Sequence, residues 1–147
     1  MWPTCSKITW EAGRRPSCAR ILLADDHPAV VKDLCALLEP EFEVVATVED
    51  GNALVAAAEA LAPDVIVTDV AMPGLDGIAA ASEILRRNPA ARIVFVTVHG
   101  DAEMVKKGLA IGAMGYVLKL AAGEELVPAI HAALRAERHV SPIAGSY

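Results

Sequence analysis

Cysteine is nearly absent from the chain. The three thiols, Cys5, Cys18 and Cys35, are an odd number in no zinc-ligand spacing, which argues against a structural zinc site. Cys35 falls in an apolar helical pattern where a buried free thiol is the ordinary reading, and a reducing cytoplasm suits such a chain. Positive charge is also scarce. The 13 Lys and Arg against 19 Asp and Glu leave a net charge of −6, which disfavours an unfused nucleic-acid binder, since phosphate recognition needs clustered cations. Long apolar runs are missing too: the longest stretch free of charge, Gly108–Leu118, has 11 residues and three glycines, too short to span a membrane. What is present suffices for one core. With 147 residues, 54% of them hydrophobic and 22% charged, the chain fits a single globular domain rather than two large ones or a disordered segment.

The charge is unevenly spread. The first twenty residues carry Lys7, Arg14, Arg15 and Arg20 against Glu11, together with both tryptophans. They lack the apolar core of a secretory signal, and their irregular pattern predicts a flexible extension over residues 1–19 that does no chemistry. The folded domain is expected over residues 20–142, with a short tail over 143–147 and no output domain.

From Ile21 onward, short β-branched runs alternate with longer helical patterns, as in a parallel sheet covered on both faces. The strands read as Arg20–Asp25, Glu43–Val48, Asp64–Asp69, Arg92–Val98 and Gly115–Lys119. Four of them lack alternation and should be buried on both faces. Val30, Val31, Leu34, Leu37 and Leu38 share one face of a helix that Pro28 can start. Further helices are predicted over Asn52–Ala62, around Ile78–Leu85 after Gly74 and Gly77, over Ala102–Ile111, and over Glu124–Glu137. Gly74 and Gly77 read as turn residues permitting positive φ. Pro128 lies inside the last pattern, so that helix should start late or bend. A right-handed chain of this kind makes a three-layer α/β sandwich, and such sheets bind ligands beyond the carboxyl ends of their strands.

Those ends are polar. Asp25 and Asp26 close the first strand, Asp69 the third, Thr97 the fourth and Lys119 the fifth. Three neighbouring carboxylates repel one another unless a cation shares the site, and oxygen ligands without His or Cys favour a hard ion such as Mg²⁺. A hydroxyl and an ammonium at the rim suit a phosphoryl group, with a carboxylate as nucleophile. The alternative is that strand-end aspartates merely brace the following turns. His27, before Pro28, reads as exposed or capping, and His131 and His139 as surface residues.

The segments ILLADDHP, DVIVTDVAMPGLDG, IVFVTVHG and GAMGYVLK, in this order and spacing, resemble the receiver domain of two-component response regulators over about Arg20 to Pro142. The tail EELVPAIHAALRAERHVSP is most similar to receivers of the NarL/FixJ (LuxR-type) regulators. The resemblance implies a flavodoxin-like (βα)5 fold with a five-stranded parallel sheet in the order 2-1-3-4-5. It implies Asp69 as phosphoacceptor, and Asp25, Asp26, Asp69 and the backbone carbonyl of Ala71 around Mg²⁺, with Asp26 the direct ligand of the acidic pair. It also implies Thr97 as the switch hydroxyl, Lys119 as the partner of the phosphoryl group, and Tyr116 as the aromatic that reports activation. His99 and the Ala71 side chain would flank the route of water to the acyl phosphate. The implied partners are a sensor histidine kinase and a second copy, through the helix 4–strand 5–helix 5 face or helices 1 and 5. DNA would be reached only through an output domain absent from this chain. Such a protein is a phosphoacceptor that loses its own phosphoryl group, not an enzyme turning over external substrate. It regulates transcription or, as a stand-alone receiver, acts by protein–protein contact or as a phosphorelay intermediate.

One departure is Leu120, where many receivers carry a cis-proline; a non-proline cis bond costs ~3–4 kcal/mol, so a trans bond is expected. A phosphatase of the dehalogenase type would carry a second Asp at Ala71, and a flavin carrier would need a Ser, Thr and Gly loop where DDHPAV stands.

Overall fold

A computed structural model describes residues 19–98 and 100–141. The elements alternate as the hydrophobic pattern predicts: β1 (Arg20–Ala24), α1 (Pro28–Leu38), β2 (Glu43–Val48), α2 (Gly51–Leu61), β3 (Val65–Thr68), α3 (Gly77–Arg87), β4 (Ile93–Thr97), α4 (Ala102–Ala110), β5 (Gly115–Leu118), a 3-10 turn (Lys119–Ala121), α5 (Ala122–Leu134) and β6 (His139–Val140). The strands form one sheet in the order β2-β1-β3-β4-β5-β6, every pair parallel. This is the expected flavodoxin-like order with one strand added.

Local chemistry sets the helix starts. Pro28 occupies the first turn of α1, where a missing N–H costs nothing. Asp50, Asp76 and Asp101 cap α2, α3 and α4, accepting from Ala53 N (2.8 Å), Ala79 N (2.7 Å) and Met104 N (3.2 Å). The core lies on both faces of the sheet. Leu34, Leu38, Leu126 and Ile130 of α1 and α5 cover one face, and Leu54, Ala80, Ile84 and Val105 of α2, α3 and α4 cover the other. β1, β3, β4 and β5 are buried almost throughout, whereas β2 is only half-buried at its edge.

Three expectations are corrected. The last helix begins at Ala122 and ends at Leu134, so Pro128 sits inside it on the exposed side instead of delaying its start. The sixth strand was not foreseen, because two residues carry no alternation; it follows Ala136, which turns the chain with φ +59. His139 is part of that strand and mostly covered rather than on the surface. The bond before Leu120 is trans, as expected, no cis peptide occurring among the described residues. The 1–19 extension, apart from Ala19, and the 143–147 tail lie outside the described residues, as does His99. Among the described residues, no helix is long and apolar enough to cross a membrane.

Candidate functional site

The parallel ladders carry the acids to one place. Asp25 extends β1, its N–H bonded to Val48 O (3.0 Å), and Asp69 extends β3, its N–H bonded to Ala24 O (3.0 Å). Thr97 ends β4, buried and in register with Leu118 at the end of β5, so Lys119 emerges beside it. The Lys119 ammonium reaches back over the strand ends to Asp25 Oδ2 at 2.8 Å and Asp69 Oδ2 at 2.9 Å.

The remaining oxygens of both carboxylates brace the turns that follow them. Asp25 Oδ1 accepts from the His27 N–H (2.9 Å) and faces its Nδ1 (3.0 Å). Asp69 Oδ1 accepts from Val70 N (2.6 Å) and Ala71 N (3.3 Å). Turn bracing therefore occurs, yet it uses only one oxygen of each acid. Burial pushes the Asp25 carboxyl up, but the Lys119 ammonium and the His27 hydrogen bonds outweigh it and hold the group below the usual aspartate range. Burial likewise disfavours charge on Lys119, but Asp25 and Asp69 reverse this and raise its pKa, so the ammonium stays charged.

Asp25, Asp26, His27 and Asp69 each offer a ligand atom within 4.8 Å of one another. Asp26 Oδ1 is buried and makes no hydrogen bond, although His27 Nδ1 stands 3.1 Å away. A buried carboxylate oxygen without a donor is costly, and a cation satisfies it. Three carboxylates, one with a buried oxygen that no donor satisfies, fit a hard divalent ion, so the residues present suit Mg²⁺. His27 was read as an exposed helix-start residue; it is exposed, but it also touches both members of the acidic pair, which only its adjacency to them hinted at.

Tyr116 lies two register pairs behind Thr97, opposite Phe95, with ring centroids 6.0 Å apart. It is fully buried against α4, and burial, aided by Asp101 and Asp69, pushes its phenol up to about 12. Gly77 differs from its predicted role. Its φ is not positive, unlike that of Gly74 (+72); it is glycine because a Cβ there would run into the carbonyl of Asp69. Among the described residues two large apolar side chains are exposed, Val98 next to Thr97 and Leu120 next to Lys119 in the chain.

A doubly wound parallel sheet with polar groups at its strand ends defines the class of α/β proteins that bind ligands beyond those ends. Within it, residues 21–131 match the response regulator receiver domain, and the chain belongs to that family. It is 39% identical to the transcriptional regulatory protein LiaR of Bacillus subtilis over 86% of this chain and 61% of the relative. It is 36% identical to the nitrate/nitrite response regulator NarL of Escherichia coli over 84% of this chain and 58% of that protein. A LuxR-family response regulator from Aurantimonas superposes with a TM-score of 0.84 at 38% identity, covering 88% of this chain and 94% of that one. The isolated receiver domain of RcsB from Salmonella enterica, solved with a phosphomimetic beryllofluoride, gives 0.79 at 30% identity over 88% and 97%. The chain spans 53% to 62% of the length of these and similar curated relatives.

Proposed function

We propose that the protein accepts a phosphoryl group on Asp69 from the phosphohistidine of a sensor kinase and changes conformation in response. The observation that carries this reading is the Lys119 ammonium held 2.8 and 2.9 Å from Asp25 and Asp69. Asp69 Oδ1 is occupied by two backbone N–H groups and Oδ2 by the Lys119 ammonium, so Oδ2 attacks phosphorus as the ammonium moves to the incoming phosphoryl group. The P–N bond of the donor breaks as the P–O bond forms, the imidazole leaves with a proton, and the product is an acyl phosphate. Lys119 follows the developing charge on the equatorial oxygens, and Thr97 supplies a hydroxyl to the same group. Mg²⁺ would be held by Asp26, Asp69 and the Ala71 carbonyl, with Asp25 behind them, and would neutralise the phosphoryl oxygens.

The exposed Val98 and Leu120 support a docking surface for the kinase around the acceptor. Displacement of Thr97 and Lys119 would reshape the face formed by α4, β5 and α5, with Tyr116 responding from behind; a second copy would bind there or through α1 and α5. With relatives that are transcriptional regulators, we assign the protein to transcription control in the cytoplasm, DNA contact residing in an output domain. It is not an enzyme acting on external substrate, and loss of the phosphoryl group to water resets it.

Mg²⁺-dependent labelling by a small phosphodonor tests the acceptor. Wild type should label and Asp69→Asn should not; equal labelling would move the acceptor elsewhere.

A further inference from the structure

One cluster has no part in the chemistry above. Ser141 is 2% exposed, and its hydroxyl accepts from Leu118 N (3.1 Å) while donating to Glu125 Oε1 (2.7 Å). The same carboxylate oxygen faces His139 Nε2 at 3.2 Å. β6 pairs with β5 through His139 N to Met114 O and Ser141 N to Tyr116 O, both 2.9 Å. Continuing that ladder by two residues brings Leu118 N–H to Ser141, where the side-chain hydroxyl takes it. Without that hydroxyl the Leu118 N–H would be a buried donor with no partner, which is destabilising.

The position of these bonds in the chain matters more than their number. Leu118 immediately precedes Lys119, and Glu125 lies in the first turn of α5, just after the 3-10 turn that Lys119 begins. One hydroxyl therefore ties both ends of the segment that carries the ammonium over Asp25 and Asp69. We propose that Ser141 is a positioning residue for Lys119, and that its two hydrogen bonds couple the occupancy of the Asp69 site to the seating of β6. The inference rests on the reading of Asp69 and Lys119 as the phosphoryl site. Coupling of this kind is reciprocal: a ligand that draws Lys119 forward strains the Ser141 bonds, and releasing Ser141 weakens the ligand.

The experiment uses beryllofluoride with Mg²⁺ as the probe, on the full chain, with binding followed by ¹⁹F NMR and amide exchange followed residue by residue. Loading the wild type should change exchange at Leu118 and Ser141. Ser141→Ala should weaken beryllofluoride about fivefold or more, in the range of ordinary coupling between sites, and Ser141→Thr should restore most of the loss. A Ser141→Ala protein that melts earlier but binds as the wild type does would reduce Ser141 to a structural role and overturn the proposal. So would a wild type that binds with no change at either amide, a measurement that needs no variant to fold. A wild type that fails to bind beryllofluoride would overturn the assignment of the Asp69 site itself, and the proposal with it.

Discussion

At Gly77 the α3 backbone passes so close to the acceptor loop that its N–H bonds Val70 O at 2.7 Å and no side chain fits toward the Asp69 carbonyl. Gly77→Ala should therefore displace the loop and destabilise the fold by about 1–3 kcal/mol, as overpacking does. Denaturant melts measure the loss, and phosphodonor labelling should fall with it. Tyr116 makes a second prediction at this scale. Its phenol is pushed up to about 12 by burial, against ~10 in an unfolded chain. The folded state keeps the proton longer, so between these values stability falls as pH rises. Phenolate absorbance in a Tyr147→Phe background, where Tyr116 is the sole tyrosine, should show late ionisation; titration near 10 in a folded protein would contradict the burial.

Among the elements, α2 ends on Ala62 in the left-handed region, φ +46 and ψ +59, exposed to solvent. A residue with a Cβ pays for that conformation and glycine does not. Ala62→Gly should raise stability by about 1 kcal/mol, seen as a higher melting temperature with labelling unchanged. The five strand–helix units were legible because each buried strand is a continuous β-branched run and each helix repeats its apolar residues at helical spacing. The limits of α5 were not. Pro128 argued for a late start or a bend, yet the 3-10 turn at Lys119–Ala121 feeds straight into the helix, so the late start does not occur, and tertiary burial of Ala122, Leu126, Ala129 and Ile130 holds the turns on either side of the proline. β6 escaped because His139 and Val140 are paired by the edge they meet, not by any pattern of their own.

For the molecule as a whole, the site was legible as five polar residues at four strand ends, since a parallel sheet must bring those ends to one edge. What the pattern could not convey was how the oxygens are shared: Asp25 between His27 and Lys119, Asp69 between its own loop and Lys119, and Ser141 behind them. Such sharing depends on angles that residue spacing does not encode. The acid cluster should make global stability respond to Mg²⁺. At ten times its dissociation constant the ion should stabilise the wild type by about 1.4 kcal/mol, visible as an upward shift in melting temperature. Asp26→Ala should lose that shift at the same concentration, and an equal shift in both proteins would remove Asp26 from the metal site.

The short sixth strand has one more effect. Without it, the outer rim of β5 would offer main-chain donors and acceptors from Gly115 to Leu118 to any extended peptide, the usual nucleus of runaway polymerisation. Among the described residues, capping that rim leaves β2 as the longer open border, where Glu43 supplies charge against edge-to-edge pairing.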